Sequence, residues 1–414
     1  MPIPVIIDTD PGVDDIVALL YALTCPELEI LAIVVSFGNT DVESSYDNVL
    51  KLYNALAVHF DSFPEDKKRF PNFNSRPFLA RGASGPLEGD LHSAQYFHGR
   101  DGLGDISKRY PDIQAGKGAE FLQISDTPGH ELVIQLIASR PARSVTYIAL
   151  GPLTNLALVA RQRPDLCHGQ LGRIVAMGGA LDVPGNTSPV AEFNFFADPY
   201  AVKELLIDGG LPLERFLLLP LDITTPHELR FSFYTRTVDS AFGIGKKSRA
   251  GEKSPLVHFT SAFLERTREV MREFGKDAME LHDVVAVWCA VQNPPQETED
   301  PYGVPVLQPG WKAHRRLFEV ERTGELTRGM LVVDRRDEVT EDVFDDVEER
   351  RFKSGDNRSA VQAQLDRQLH DLPAPVQVEL NAPPHVHPKG VACIVETPGS
   401  DALVSSLLSR IWGL

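Results

Sequence analysis

The chain has few cysteines and lacks the long apolar runs that membrane proteins need. Its 414 residues include only four cysteines, which show no CxxC pairing and no regular spacing. Such usage predicts free thiols in a reducing compartment rather than a disulfide framework. No apolar run approaches the roughly 20 residues that span a bilayer, and the first ten residues lack the basic start of a signal peptide. We therefore expect a cytoplasmic protein with no membrane partner.

Basic residues are also scarce relative to acidic ones. The sequence has 41 lysines and arginines against 58 aspartates and glutamates, which gives a formal net charge of −17. A field of this sign repels nucleic acid and anionic membrane surfaces, so a polyanionic partner is not expected. The charge balance favours a small neutral substrate or a divalent cation. A hydrophobic content of 43% is sufficient for a large core.

Short apolar runs alternate with amphipathic stretches over the first 220 residues. This alternation predicts an α/β fold with an open, mostly parallel, Rossmann-like sheet and helices on both faces. Ligands of such sheets bind at the carboxyl ends of the strands, where polar or glycine-rich turns follow here. The predicted strands are Pro4–Ile7, Ile30–Ser36, Val145–Leu150, Arg173–Met177 and Phe216–Pro220, and the predicted helices are Ile16–Leu23, Ser44–Ala57, His130–Ser139 and Pro199–Ile207.

Two charged segments interrupt the pattern without indicating an independent second domain. Residues 59–76 are rich in charge, proline and asparagine, and residues 338–388 are strongly charged. We interpret both as surface insertions in a single domain that covers residues 1–414. Residues 390–414 become apolar again, which predicts a final strand and helix that return to the core.

An acidic turn follows the first apolar run, in the sequence VIIDTDPGVDDIVALL. Asp8, Asp10, Asp14 and Asp15 fall within eight residues at a predicted strand-to-helix junction. Carboxylates this close repel one another unless a cation lies among them, and calcium accepts several oxygen ligands in flexible geometry. The alternative is that these aspartates only cap the helix, but capping uses one or two acidic groups. The turn therefore predicts a metal site.

The acidic turn and six later motifs resemble the inosine-uridine type nucleoside hydrolase family. The turn is similar to the family's DxDPGxDD signature, and the resemblance extends over residues 5 to about 334. The later motifs follow in the family's order: SFGNT at 36–40, FHGRDGLG at 97–104, ALGPLTNLA at 149–157, MGG at 177–179, GNTSPVAEFNFFADP at 185–199 and LHDVVAV at 281–287. The resemblance implies calcium-dependent hydrolysis of the bond between ribose and nucleobase in small ribonucleosides such as uridine or inosine.

The resemblance also implies a metal site and a catalytic base. It places Asp10, Asp15, Asp283 and the backbone carbonyl of Leu150 on calcium, which is an oxygen cage of the kind calcium prefers. Asp10 would also be the base that takes a proton from the attacking water. Asp14 would bind a ribose hydroxyl.

Further residues are assigned to the sugar and to the leaving base. The resemblance places Asn186, Glu192 and Asn194 on the ribose hydroxyls, and Asn39 orients the water or the base carboxylate. Without the family, the segment that carries the first three would read as a polar loop. His282 matches a histidine that protonates the leaving base, and His98 matches a second base-side histidine or is an exposed loop residue. The tract EFGKDAMEL lacks the tyrosine that often precedes the family's HD pair, which leaves the base preference open.

Three other functions remain as alternatives. A haloacid dehalogenase-type phosphatase also begins with a DxD pair, but its usual DxDG[TV] has glycine where this chain has proline. A non-catalytic ligand-binding protein on the same fold would not need the combined acidic and histidine set. A related hydrolase that acts on ADP-ribose or on a modified nucleoside is compatible with the motifs. By resemblance we also expect a homodimer or homotetramer.

Overall fold

A computed structural model describes residues 2–243, 247–296, 304–333 and 390–414. All of these residues except Val333 belong to a main compact unit that comprises Met1–Val332 and Lys389–Leu414. The predicted insertion at 338–388 lies outside the described residues. Within the described residues, no helix combines the length and the apolarity that crossing a bilayer requires.

Among the described residues, the central feature is a nine-stranded sheet, whose strands, numbered along the chain, lie in the order β10-β13-β7-β6-β5-β1-β2-β3-β4. All neighbouring pairs are parallel except β10–β13, which is antiparallel. Two small antiparallel pairs, β8–β9 and β11–β12, lie outside this sheet. The strands are β1 Ile3–Thr9, β2 Leu28–Val35, β3 Phe78–Arg81, β4 Gln123–Ser125, β5 Val145–Ala149, β6 Leu171–Met177, β7 Phe216–Leu219, β8 Glu228–Arg230, β9 Ala278–Glu280, β10 Lys312–Arg316, β11 Glu319–Val320, β12 Leu331–Val332 and β13 Val391–Glu396.

Helices connect the strands of the main sheet. They are α1 Val13–Thr24, α2 Val42–Ser62, α3 Gln95–His98, α4 Ile106–Arg109, α5 Gly129–Ala138, α6 Thr154–Gln162, α7 Pro164–Gly169, α8 Phe193–Ala197, α9 Pro199–Val202, α10 Leu221–Thr224, α11 Phe231–Thr237, α12 Pro255–Glu273, α13 His282–Gln292 and α14 Ser400–Leu407. Short 3₁₀ segments lie at Pro64–Arg69, Pro71–Asn74, Gly118–Phe121 and Leu213–Arg215, and π-helical turns at Lys203–Ile207 and Leu408–Trp412.

The predicted α/β class is confirmed, and so is each predicted strand and helix, apart from shifts at the ends. The central strands have apolar side chains on both faces because helices cover both sides of the sheet: Val5, Ile6 and Ile7 of β1 are all fully buried. Each such side chain contributes about 1.5–3 kcal/mol to folding. The predicted return of the last residues to the core is also confirmed, since β13 lies between β7 and β10.

The charged segment at 59–76 is more than a surface insertion. Its first residues extend α2 to Ser62, and two 3₁₀ segments follow. The charged residues of Pro64–Arg69 are largely exposed, but Phe70 and Phe73 are buried and belong to the main hydrophobic core. Charged residues dominate the composition of this segment, so its sequence did not predict that aromatic side chains would pack into the core of the domain.

The order of the strands places a crevice at the carboxyl ends of β1 and β5. The chain runs outward from β1 through β2 to β4 and then returns to the other side of β1 as β5. Connections leave β1 and β5 in opposite directions at such a switch point, so the turns after these strands open a gap in which ligands bind. Asp10 follows β1 and Leu150 follows β5, so both predicted metal-site residues lie at this point.

Candidate active site

A cavity of about 660 Å³ lies at the carboxyl edge of the sheet and brings the predicted residues together. Nine of the predicted site residues line it, and they come from turns and helices that are far apart in sequence. These nine are Asp14, Asn39, His98, Leu150, Asn186, Glu192, Asn194, His282 and Asp283. The other two, Asp10 and Asp15, are buried and hydrogen-bonded to Asn39 of the lining.

An acidic cluster forms one part of this site. Asp14, Asp15 and Asp283 each offer a carboxylate oxygen, and these atoms all lie within 4.8 Å of one another. Burial and the charge of Asp15 raise the pKa of Asp14 to about 7. Burial, with the charges of Asp14 and Asp15, raises the pKa of Asp283 well above its usual range. Carboxylates that are buried and close together need a cation to stay ionised, so the cluster favours metal binding.

Asp10 lies beside this cluster and has one oxygen free. Its Oδ2 accepts the backbone N–H of Asn39 at 2.8 Å, whereas its buried Oδ1 has no hydrogen-bond partner among the described residues. Burial and the charge of Asp15 raise the pKa of Asp10 well above its usual range. The backbone also comes close: a Cβ at Gly151 would lie 2.6 Å from Oδ1, and one at Gly38 would collide with Oδ2.

Asp15 is the most heavily bonded carboxylate of the site. Its Oδ1 accepts the Thr9 hydroxyl at 2.5 Å and the backbone N–H of Asp10 at 3.3 Å. Its Oδ2 accepts the backbone N–H of Gly12 at 3.0 Å and the side-chain amide of Asn39 at 2.9 Å. Asn39 therefore holds both Asp10 and Asp15, one through its backbone and one through its side chain.

The available oxygen atoms fit a hard divalent cation. Buried carboxylates, together with the unpartnered Oδ1 of Asp10, are the donors that calcium prefers. The carbonyl oxygen of Leu150 accepts the side-chain amide of Asn194 at 2.6 Å. A carbonyl oxygen has two lone pairs, so this bond leaves one lone pair for another partner.

Asp8 does not join the acidic cluster, which corrects the expectation that four carboxylates converge on the turn. Its side chain accepts the Tyr147 hydroxyl at 2.6 Å and the Asn155 amide at 2.8 Å, and it is fully buried between β1 and α6. Burial raises the pKa of Asp8 to about 7, although both hydrogen bonds favour the carboxylate. Asp8 belongs to β1 itself, and its role in the structure is to connect β1 with β5 and α6.

The residues predicted for the sugar are held by local hydrogen bonds. Glu192 caps α8: Oε1 accepts the backbone N–H of Asn194 at 2.8 Å, and Oε2 accepts those of Gly179 and Phe195 at 2.8 and 3.1 Å. Asn186 accepts the backbone N–H of Phe193 at 3.0 Å. These bonds fix the side chains against the cavity wall, and each carboxylate or amide oxygen keeps acceptor capacity for a ligand hydroxyl.

His282, which also lines the cavity, has partners at both ring nitrogens. Nδ1 lies 2.8 Å from the hydroxyl of Thr224, and Nε2 lies 3.1 Å from Oε2 of Glu280. Burial would lower the pKa of His282, but the hydrogen bond and the charge of Glu280 raise it above its ordinary value. Glu280 is also paired with Lys276. His282 thus has an acidic partner that favours its protonated form.

His98 is a buried lining residue rather than an exposed loop residue. Its Nδ1 accepts the backbone N–H of Val13 at 3.2 Å, at the first residue of α1. Burial lowers the pKa of His98 to about 3, and the nearby His282 acts in the same direction. His98 is therefore neutral, and since its Nδ1 accepts a hydrogen bond, the proton is on Nε2.

Sequence reasoning missed several residues that shape the site. Thr9, Thr224, Lys276 and Glu280 support the predicted side chains, and none of them stood out in the sequence. Glu280 could have been noticed because it is an acidic residue two positions before the HD pair. Thr224 is 58 residues away from His282, and no local pattern connects the two.

A mostly parallel α/β fold with an acidic, histidine-walled cavity at the switch point defines an enzyme that acts on a small ligand. Residues 5–366 match the family model described as inosine-uridine preferring nucleoside hydrolase. The chain belongs to this family, and it is a nucleoside hydrolase. The membership sets aside the haloacid dehalogenase-type phosphatase and the non-catalytic binding protein.

Curated relatives and solved structures agree with this membership. The pyrimidine-specific ribonucleoside hydrolase RihA of Klebsiella pneumoniae is 36% identical over 349 residues, which cover 81% of this chain and 89% of that protein. RihA of Salmonella enteritidis is 31% identical over 343 residues, with the same coverage of 81% and 89%. The fold is similar to the plant nucleoside hydrolase PpNRh1, with a TM-score of 0.66, 23% identity and 99% of each chain covered. It is also similar to an inosine-guanosine nucleoside hydrolase, with a TM-score of 0.67, 23% identity and coverage of 100% and 99%.

Proposed function

We propose that the protein is a calcium-dependent hydrolase of pyrimidine ribonucleosides such as uridine, which releases ribose and the free base. Asp10, Asp15, Asp283 and the carbonyl oxygen of Leu150 would hold the metal. The observation that carries the proposal is the buried Oδ1 of Asp10, which has no partner among the described residues and lies beside a cluster of carboxylates. The base preference is supported by the curated relatives, whose printed names call them pyrimidine-specific.

The attack on the sugar needs a base next to the metal site. Bound calcium supplies a Lewis acid that makes a water molecule more acidic. Asp10 takes the proton on its carboxylate, in which Oδ1 has no partner among the described residues and Oδ2 keeps one lone pair after it accepts the backbone N–H of Asn39. The same bond keeps the carboxylate from rotating, so the free oxygen stays in position.

The ribose is bound by Asp14, Asn186, Glu192 and Asn194. All four line the cavity, and the last three are fixed by hydrogen bonds that leave acceptor capacity. Carboxylate and amide groups bind neighbouring hydroxyls in pairs, so this wall favours ribose over deoxyribose. Distortion of a firmly held sugar also lowers the barrier to an oxocarbenium-like transition state.

The leaving base is assisted by the two histidines in different ways. His282, whose protonated form Glu280 favours, gives a proton from Nε2 to the departing base. His98 is neutral and offers its Nε2–H as a fixed hydrogen-bond donor to an acceptor on the substrate. His282 is therefore the general acid, and His98 binds the substrate.

A substrate panel tests the proposal directly. Uridine, cytidine, inosine and adenosine are assayed by release of free ribose with calcium and after chelation, and ADP-ribose is assayed by loss of the intact molecule. We expect the two pyrimidine nucleosides to have a kcat/KM at least about tenfold above that of the purine nucleosides, a typical ratio for pocket fit. Faster turnover of inosine contradicts the base preference, and turnover of ADP-ribose alone contradicts the substrate class.

A cytoplasmic location and a homodimeric or homotetrameric assembly stay predictions for this chain. The first follows from the free thiols, all four of which are buried. The second is measured by size-exclusion chromatography with light scattering, in which a monomer would contradict it.

A further inference from the structure

The ring of His282 is held from two sides by separate elements. Thr224, the last residue of α10, contacts Nδ1, and Glu280, the last residue of β9, contacts Nε2. The imidazole side chain is only 11% exposed. Two hydrogen bonds at opposite edges of a planar ring fix both its rotation and its tilt. Removal of one bond frees the ring to turn about its side-chain torsions.

Glu280 is itself held in place, and its two oxygens are divided between two partners. Oε1 pairs with the ammonium group of Lys276, and Oε2 contacts His282. Although burial opposes ionisation, these two partners lower the pKa of Glu280 to about 2. Glu280 therefore stays a carboxylate, and Lys276 prevents it from swinging away from the imidazole.

The three residues also share the cavity wall. Lys276, Glu280 and His282 all line the cavity, so the imidazole and the carboxylate that contacts its Nε2 both border the space that is open to a substrate. An acceptor on the base can share the Nε2–H with Oε2, so Glu280 keeps the ring oriented until the proton is transferred. Small errors in the position of a proton donor are costly, because a shift of about 1 Å can reduce a rate by about 100-fold.

We propose that Glu280, held by Lys276, is a positioning residue that orients His282 for proton delivery to the leaving nucleobase. This inference rests on the proposed function, in which His282 is the acid. It adds a role for two residues outside the predicted catalytic and ligand-binding set.

The test compares two leaving groups and uses a matched control. Glu280→Ala is assayed on uridine, whose base needs a proton, and on p-nitrophenyl riboside, whose leaving group needs none. We expect kcat on uridine to fall by about 10- to 100-fold, part of the 10²–10⁴-fold that an acid contributes. The KM on uridine and the turnover of p-nitrophenyl riboside should stay within about twofold. Glu280→Gln keeps an acceptor oxygen and should recover most of the lost turnover.

Glu228→Ala is the control for loss of a carboxylate in the same place. Glu228 is the cross-strand partner of Glu280 in the β8–β9 pair, and it also lies near Lys276, at 3.5 Å. The contact that distinguishes Glu280 is its bond to His282. Glu228→Ala should therefore leave uridine turnover within about twofold of the wild type, and an equal loss in both variants would overturn the proposal.

A double-mutant cycle shows whether Glu280 acts through His282. In a His282→Ala background, Glu280→Ala should cause no further loss on uridine. Additive losses would overturn the proposal, because they would mean that Glu280 contacts the substrate itself. So would an equal loss on both leaving groups in Glu280→Ala, which indicates a structural role. If His282→Ala lowers turnover of uridine and of p-nitrophenyl riboside equally, His282 is not the acid and the proposed function is wrong on this point. If His282→Ala affects uridine alone but Glu280→Ala affects both substrates equally, only the positioning role of Glu280 is wrong.

Discussion

The Nδ1 atom of His98 accepts the backbone N–H of Val13 at 3.2 Å. This bond occupies the first N–H of α1, one of the amides that a helix leaves without an internal partner. It also determines the tautomer of the imidazole, since a nitrogen that accepts cannot carry the proton. The ring of His98 is consequently a fixed Nε2–H donor in the cavity wall.

Loss of this donor should weaken binding more than chemistry. His98→Ala should raise the KM for uridine by about 5- to 10-fold, the value of one hydrogen bond, with little change in kcat. His98→Gln keeps an N–H donor near the position of Nε2 and should recover part of the loss. Steady-state kinetics on uridine and p-nitrophenyl riboside measure both effects. A fall in kcat that is confined to uridine would instead make His98 the acid.

Metal content is the second prediction. The purified protein should contain about one calcium per chain, and chelation should abolish activity, with recovery on addition of calcium. Because the carboxylates then lose their counter-charge, chelation should also lower Tm by several degrees. Elemental analysis and thermal unfolding measure the two effects. Zinc in the purified protein, or full activity without metal, would count against calcium.

The two roles of Asp10 can be separated by amide substitution. Asp10→Asn keeps an acceptor for the backbone N–H of Asn39, but the amide cannot take a proton, so kcat should fall by at least about 100-fold at saturating calcium. In Asp15→Asn, the NH₂ group of the new side chain would face the O–H and N–H donors that bond to the carboxylate in the wild type. That variant should bind calcium weakly, and added calcium should restore part of its activity. Rescue of Asp10→Asn by calcium would show that another group activates the water.

His282→Ala should separate natural from activated substrates. We expect kcat on uridine to fall by about 10²–10⁴-fold, as for the loss of a general acid. Turnover of p-nitrophenyl riboside should hardly change, because its leaving group departs as a stable anion. An equal decrease on both substrates would assign His282 a structural role.

Asp8 should matter for folding and not for metal. Asp8→Ala leaves the buried hydroxyl of Tyr147 and the amide of Asn155 without their partner, which costs about 1–3 kcal/mol for each such group. The free energy of unfolding should fall accordingly, whereas the calcium content per folded chain should stay at the wild-type level. Denaturant titration and elemental analysis of the same preparation measure the two quantities. Loss of calcium from the Asp8→Ala variant would show that Asp8 contributes to the metal site.

Much of the central sheet was predictable, because parallel strands that are buried on both faces appear in the sequence as short continuous apolar runs. The apolar runs that became β1, β2, β5, β6 and β7 were identified, together with the turns that follow them. Turns at the carboxyl ends of neighbouring strands meet at one edge of the sheet. The resemblance to the hydrolase family, and not the strand pattern, assigned residues as far apart as Asn39 and Asp283 to a common site, and both residues line the cavity.

The partners of the site residues were not predictable in the same way. Asp8 and Asp10 are two residues apart, and sequence spacing alone did not show that β1 ends between them at Thr9. The bonds from Thr224 and Glu280 to His282 depend on how α10 and β9 pack, which periodicity does not report. Buried hydrogen-bond networks of this kind are specified by the tertiary structure, and short motifs contain little information about them.

The close approach of Gly38 and Gly151 to Asp10 limits how this active site can be altered. Backbone, rather than replaceable side chains, forms the walls on both sides of the carboxylate, so even a single methyl group at either position has no room. A library randomised around the cavity should therefore return only glycine at these two positions among its active members. Variation in substrate range has to come from other parts of the lining, such as Phe274 and Tyr96, whose side chains are largely exposed.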